Sequence, residues 1–227
     1  PPRGAELASF DAFSYFIQMF SANPKEFDSL QLVTAPGSPA EAYLAFQREA
    51  AETASELGLD LAAAAVYLTP NGPRMCPTPA TPCSDFTDIV VSDGLVETFS
   101  VDGVPIAPRL GVPGEPVIVG DTGFRVVAAY RTISADALAI YLEIDSMAPV
   151  TLDLATATYI DQDGTQTPID VEASIGGVAI AANDELFTVM LVFDQADPGG
   201  VLRFSIFPDD GSPALAAHIP VAALVAP

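Results

Sequence analysis

The chain has 227 residues, of which half are hydrophobic and 17% are charged, a composition that excludes an intrinsically disordered protein. The length is sufficient for one large domain or two small ones, each with its own core. Thirty acidic residues against eight lysines and arginines give a formal net charge of -22. Because so negative a surface repels nucleic-acid phosphates and anionic lipid, we expect no nucleic-acid partner. No apolar run reaches the roughly 20 residues of a membrane-spanning helix, so we expect no membrane span in this segment.

Helical patterns fill the first part of the chain. Apolar residues spaced by three and four predict a helix over Glu6–Phe20, and a shorter helix is predicted over Pro24–Val33. The sequence Ser38–Glu41 combines an N-cap serine, a proline at the first helical position and the glutamate of a capping box. It predicts a third helix, which ends at Gly58.

Strand patterns replace the helical ones further along the chain. Ala64–Leu68 is a predicted strand. Asp93-Gly94 separates the β-rich segments Phe86–Val91 and Leu95–Val101, an arrangement that predicts a hairpin. Helices followed by strands predict an α+β domain over residues 5–110.

A second domain is predicted over residues 115–227, after a proline- and glycine-rich linker at Leu110–Pro116. Seven or eight short strands with turns between them argue for an all-β sandwich. Within it, Phe187–Phe193 is apolar on both faces, as is typical of a central strand. The predicted strands are Val117–Val119, Phe124–Ile133, Ala137–Asp145, Val150–Ile160, Thr167–Glu172, Leu186–Phe193, Val201–Phe207 and Ala217–Leu224.

The only two cysteines, Cys76 and Cys83, are separated by six residues, three of them proline. This short spacing favours a disulfide. From loop-closure entropy, we expect the bond to raise the free energy of unfolding by about 2.5 kcal/mol. Two free buried thiols are the alternative. A disulfide implies an oxidising compartment, so we expect an exported protein, extracellular or in the cell envelope. The opening Pro1–Gly4 has no signal-peptide pattern, as expected of a mature or trimmed chain.

One acidic loop is a weak candidate for calcium. Asp161 and Asp163, with Glu172 at the twelfth position, follow part of an EF-hand pattern, but Gln166 stands where the glycine is required. A hairpin turn at Asp163-Gly164 is the alternative, so we expect no dedicated metal site. Weak binding of divalent cations stays open, because a negative field concentrates cations.

No catalytic motif is present. His218 is the sole histidine, and strand alternation places it on the solvent side of its strand. Asp11, Tyr15 and Tyr43 lie on the predicted helices, where they are candidates for proton transfer if those helices wall a cavity. Ordinary core and surface placement is the alternative. We expect no cofactor and no catalysis.

Residues 115–220 resemble the telokin-like, immunoglobulin-fold modules of bacterial secreted proteins and lipoproteins. That resemblance implies an immunoglobulin-like sandwich without enzymatic activity. Residues 5–110 resemble, in element order, the cone of nuclear-transport-factor-like and cystatin-like domains. The segments that carry the first resemblance are Val117–Gly120, Phe124–Val127, Ala139–Ile144, Tyr159–Gly164 and Glu185–Phe193.

These observations predict an α+β cone followed by an immunoglobulin-like sandwich. The expected function is that of an exported, non-catalytic binding or structural module at the cell surface, with another surface protein as its partner. The alternative is a cone-domain enzyme or small-ligand receptor in which the sandwich is an accessory. A deep apolar cavity with a buried ionisable group in residues 5–110 would favour that alternative.

Overall fold

The computed structural model describes residues 12–18, 20–21, 27–56, 64–76, 82–175, 179–182 and 186–224. These residues are mostly in β-strands, which confirms the predicted sheet-rich fold. They belong to two compact units that divide between Pro108 and Arg109. The predicted linker, Leu110–Pro116, therefore lies within the second unit.

The first unit begins with helices, and its longest helix has a capped start. The amide of Glu41 donates to Ser38 Oγ at 3.2 Å, and the amide of Gly37 donates to Glu41 Oε2 at 2.6 Å. These bonds satisfy amide groups that a helix start leaves without partners in the helix. The predicted end at Gly58 lies outside the described residues. The helices are residues 12–18 and 20–21 (α1), Phe27–Gln31 (α2) and Pro39–Glu56 (α3).

Five antiparallel strands follow, and they are hydrogen-bonded in chain order. Asp93 and Gly94 both have positive φ, 51° and 80°, which gives the predicted hairpin its tight turn. The strand Gly72–Cys76 was not predicted. Gly72 has a φ of 129°, and a Cβ there would run into the carbonyl oxygen of Phe86. The strands are Ala65–Thr69 (β1), Gly72–Cys76 (β2), Ser84–Ser92 (β3), Leu95–Val101 (β4) and Val104–Pro105 (β5).

Aromatic rings fill the described core of the first unit. The ring of Phe99 on β4 lies 5.5 Å from Phe13, 5.2 Å from Tyr43 and 5.6 Å from Phe86, measured between centroids. All four side chains are buried. Rings from α1, α3, β3 and β4 therefore meet in one cluster, which holds these helices against the sheet.

The second unit consists of two antiparallel sheets that share one apolar core. The strands are Leu110–Gly111 (β6), Val117–Val119 (β7), Thr122–Arg131 (β8), Ala137–Ser146 (β9), Val150–Ile160 (β10), Gln166–Pro168 (β11), Ala179–Ala182 (β12), Leu186–Asp194 (β13), Val201–Pro208 (β14) and Leu215–Pro220 (β15). In the first sheet β9 lies between β13 and β8, and β6 and β7 pair with the far edge of β8. In the second sheet β10 lies between β14 and the short strands β11 and β12, and β15 follows β14.

The strand predicted to be central, β13, stands at the end of its sheet path instead. Its outer edge is nevertheless occupied. The amide of Asp170 donates to the carbonyl of Val192 at 2.8 Å, and Ile175 forms an antiparallel bridge with Met190. The segment after β11 therefore satisfies backbone groups on the outer edge of β13, so the strand is not left as an open sheet edge.

Backbone hydrogen bonds to the end of the described chain explain why residues 110–116 do not form a linker. The amide of Val112 donates to the carbonyl of Ala222 at 3.0 Å, and the amide of Leu224 donates to the carbonyl of Leu110 at 2.8 Å. Leu110 is fully buried. The chain after β15 therefore pairs with β6 and joins the edges of the two sheets within this unit.

Candidate functional site

A cleft of about 600 Å³ lies at one end of the second unit. Three turns form it: residues 119–122 between β7 and β8, residues 148–150 between β9 and β10, and residues 206–215 between β14 and β15. These turns are far apart in sequence. Antiparallel pairing brings them together because each one joins strands at the same end of the unit.

The floor and walls of the cleft are apolar. Val150 and Ile206 are buried residues of the shared core that line it, so the cleft reaches down to the core. Leu215, 37% exposed, forms part of one wall. Gly120 has a φ of 62°, a backbone conformation that favours glycine, and a Cβ there would lie 2.8 Å from Cδ1 at the flexible end of Leu215.

Hydrogen bonds fix the turns that frame the cleft. Ser146 Oγ donates to the carbonyl of Ala148 at 2.7 Å and lies 2.9 Å from Thr122 Oγ1, so the threonine donates to the serine. Both hydroxyl-bearing residues are fully buried. The amide of Met147 donates to the carbonyl of Asp121 at 3.1 Å and joins the first two turns. The cleft is therefore built on fixed backbone.

Acidic side chains surround the opening. Asp121, Asp209 and Asp210 line the cleft and are exposed, and the lining residues include no lysine, arginine or histidine. Hydrogen bonds from Ser212 lower the pKa of Asp210, which keeps its carboxylate charged. Met147, in the same group of turns, is 78% exposed. The site thus combines an apolar interior with a negative rim.

The predicted disulfide between Cys76 and Cys83 is present in the first unit, at the end of β2 and just before β3.

A second pocket, of about 420 Å³, lies on the first unit. Arg74 and Asp85 line it and pair through two hydrogen bonds of 2.6 Å, which lower the pKa of that carboxyl. Asp102 Oδ1 accepts from the amide of Asp85 at 2.8 Å. The charged groups of this pocket are therefore partnered with one another or with backbone.

Of the proton-transfer candidates, the structure describes Tyr15 and Tyr43. Tyr15 is 44% exposed, whereas Tyr43 is buried in the aromatic cluster. Neither lines the pocket of the first unit. Asp11 lies outside the described residues.

The calcium candidate is a closed turn. Asp161 Oδ1 accepts from the amides of Asp163 and Thr165 at 3.0 and 2.8 Å, and Gly164 has a φ of 84°. Across the described ranges, no three His, Cys, Asp or Glu side chains are grouped so that they could hold a metal ion. Asp161 and Asp163 therefore belong to no described ligand cluster.

His218 is exposed on β15, as strand alternation predicts, while its neighbours Ala217 and Ile219 are buried. The register pairs it with Arg203 of β14. In the part of the chain that the structure describes, His218 lines neither the cleft nor the pocket of the first unit.

The opposite end of the second unit is closed by polar contacts. The hydroxyl of the buried Tyr159 donates to the carbonyl of Asp197 and accepts from the amide of Gly200, both at 2.7 Å. Burial raises the pKa of Tyr159 to about 12. Arg131 bonds both carboxylate oxygens of Asp136 and one of Asp197. Hydrogen bonds from Arg131 and Arg109 lower the pKa of Asp136 to about 2.

Sequence reasoning did not find the cleft. It assigns no site to Asp121, Pro149 or Asp209-Asp210. Each segment has the composition of an ordinary turn, so the signal is their proximity in the fold. No helix in the described ranges is long and apolar enough to cross a membrane. Comparisons of the chain with protein-family models, with curated proteins and with solved structures found no match.

Proposed function

We propose that this protein is a non-catalytic binding module and that the cleft of its second unit receives an apolar group of a partner protein. The observation that carries this proposal is the apolar cleft of about 600 Å³ with buried core residues as its floor. Its volume falls within the roughly 300–1,000 Å³ common for ligand sites. Apolar surface that lines an open cleft gains free energy when a partner covers it.

The position of the cleft supports binding. Turns on a rigid sheet scaffold are a frequent place for recognition, because their side chains vary while the scaffold holds their backbone. Here the bond between the amide of Met147 and the carbonyl of Asp121, and the hydroxyl pair of Thr122 and Ser146, hold two of the three turns. A site that is already fixed loses little entropy when a ligand binds.

The proposed architecture is an immunoglobulin-like, telokin-like sandwich for the second unit and a cone-like α+β domain for the first. Two antiparallel sheets that share one core support the sandwich. Helices that pack aromatic residues on a five-stranded sheet support the cone-like domain. In this architecture the cleft lies among the turns at one end of the sandwich.

The proposed location is outside the reducing cytosol, at the cell surface or in the cell envelope. The disulfide Cys76–Cys83 supports it, because such bonds persist in oxidising compartments. The partner would then be another exported protein.

A neutral apolar dye tests the cleft directly. N-phenyl-1-naphthylamine gains fluorescence in apolar sites, and titrating it into ¹⁵N-labelled protein also maps where it binds. We expect amide shifts concentrated in residues 119–122, 147–150 and 206–215. Leu215→Ser removes a wall of the cleft, so we expect binding about five- to tenfold weaker, in proportion to the apolar contact that is lost.

Leu186→Ser is the matched control. Leu186 is 63% exposed, belongs to the same unit and does not line the cleft, so the same substitution there leaves dye binding unchanged. Equal affinity of the wild type and both variants, or shifts that avoid the three turns, would overturn the proposal.

A further inference from the structure

We infer that the group bound in the cleft is an apolar side chain next to a lysine or arginine, on an extended or exposed segment of the partner. This inference rests on the proposed function and specifies its ligand. It follows from the charge of the rim, the position of the basic residues of the second unit and the exposed methionine that precedes the lining residue Ala148.

Three aspartates line the apolar cleft. Asp121, Asp209 and Asp210 are exposed, and the described part of the unit places no arginine in an ion pair with any of them. The amide of Asp209 donates to the carbonyl of Pro149 at 3.2 Å, which fixes the backbone of this rim residue against the neighbouring turn. A cation held at this rim would therefore meet negative charges whose backbone is already in place.

The basic residues of the unit do not offset this charge. Arg131 lies at the opposite end, where it bonds Asp136 and Asp197. Arg125 on β8 pairs with Glu143 through bonds of 3.0 and 2.9 Å. Arg109 also bonds Asp136 at the opposite end, and Arg203 is in register with Thr158 and His218, next to the Tyr159 end of the sheet. None of the four arginines lines the cleft, so the rim stays negative.

The interior and the rim together select the ligand. An anionic ligand such as a fatty acid would place its carboxylate against the rim, which is unfavourable, and a neutral apolar group would gain nothing from it. An apolar side chain with a basic neighbour fills the cleft and places its charge at the rim. Met147 precedes the lining residue Ala148 in the chain and is exposed, so it offers an unbranched, adaptable apolar side chain to such a segment.

Three synthetic nonapeptides test the inference. All share a central leucine–phenylalanine–leucine segment, and the flanking positions are lysine in one, glutamine in the second and glutamate in the third. Dissociation constants are measured by calorimetry at low and high sodium chloride, and binding is located by amide shifts. We expect the lysine peptide to bind most tightly and the glutamate peptide most weakly, with the lysine advantage reduced at high salt.

The double variant Asp121→Asn, Asp209→Asn keeps the shape of the rim and removes two charges. We expect the advantage of the lysine peptide over the glutamine peptide to fall by about two- to fivefold for each charge removed, with the glutamine peptide unaffected. The control is Asp163→Asn, Asp194→Asn, which changes the net charge equally at exposed positions that do not line the cleft. It leaves the preference intact.

The outcomes separate the two proposals. If the dye binds in the cleft but the lysine and glutamine peptides bind there equally, the inference is wrong and the proposed function stands. If the control variant reduces the preference as much as the rim variant, the effect comes from net charge and the inference is again wrong. If neither dye nor any peptide shifts the three turns, both proposals fail.

Discussion

At the scale of single residues, Tyr159 illustrates how a polar group is placed in the core of the second unit. The centroid of its ring lies 5.6 Å from that of Phe193. Its hydroxyl donates to one backbone carbonyl and accepts from one backbone amide. Both of its hydrogen-bonding roles are therefore used. The residue binds the end of β10 to the turn that leads into β14.

We expect Tyr159→Phe to lower the free energy of unfolding by about 1–3 kcal/mol at neutral pH, since it leaves two backbone groups without their partner. The hydroxyl also titrates. Its pKa in the folded protein is about 12, above the unfolded value near 10, so its contribution is complete below about pH 10 and is lost as the pH rises from 10 to 12. The difference in the free energy of unfolding between wild type and variant therefore becomes smaller as the pH rises from 10 to 12. Urea unfolding followed by circular dichroism measures it.

Tyr67→Phe serves as the control for this measurement. Tyr67 is 56% exposed on β1, and loss of its hydroxyl is expected to change stability by no more than about 0.5 kcal/mol. Equal stabilities for the two variants would mean that the Tyr159 hydroxyl does not hold the turn.

At the scale of elements, local signals in the sequence were sufficient wherever one turn determines the outcome. Asp93-Gly94 fixes the β3–β4 hairpin because two consecutive positive φ values need residues of this kind. The strand Val150–Ile160 has the bounds that its alternation predicts. Both features can be predicted from local sequence, although β10 pairs with β14 about 50 residues later.

Elements set by distant contacts were missed. Leu110–Pro116 has a linker composition, yet Leu110 and Val112 pair with residues more than a hundred positions later. The apolar sequence of β13 predicts a central strand, whereas the outer edge of β13 bonds the segment after β11 and not a further strand of its sheet. The cleft depends on three such distant turns, and no local pattern reports their proximity.

The disulfide is the element-scale feature that supports the location of the protein. Strand β2 pairs with β3 through only two residue pairs, Arg74 with Asp85 and Met75 with Ser84. The bond Cys76–Cys83 therefore supplements a short ladder. We expect Cys76→Ser, Cys83→Ser to lower the free energy of unfolding by about 2.5 kcal/mol, because the unfolded chain regains the entropy of an open loop.

Intact mass gives an independent reading of the same bond. Alkylation without reductant is expected to add no mass, and alkylation after reduction is expected to add two groups. Two alkylated cysteines without reductant would contradict the bond and remove the main support for an exported protein.

At the scale of the whole molecule, the charge is the dominant property. A formal charge of -22 on 227 residues opposes the folded state, because folding brings like charges closer together. The arginine pairs described above offset only part of it. The excess is spread over turns such as those at Asp163 and Asp209-Asp210, so we expect the repulsion to be general and not confined to one site.

Added salt should therefore raise the melting temperature, since the screening length falls from about 30 Å at 0.01 M to about 3 Å at 1 M. The informative comparison is calcium against sodium at matched ionic strength. Asp161 already uses Oδ1 for two amides of its own turn, and the described residues contain no cluster of three or more ligands. We expect the two salts to act alike, apart from the stronger attraction of a divalent ion to a negative field. A calcium effect that saturates below a millimolar concentration, and that Asp161→Asn abolishes while Asp194→Asn does not, would instead establish a specific site in that turn.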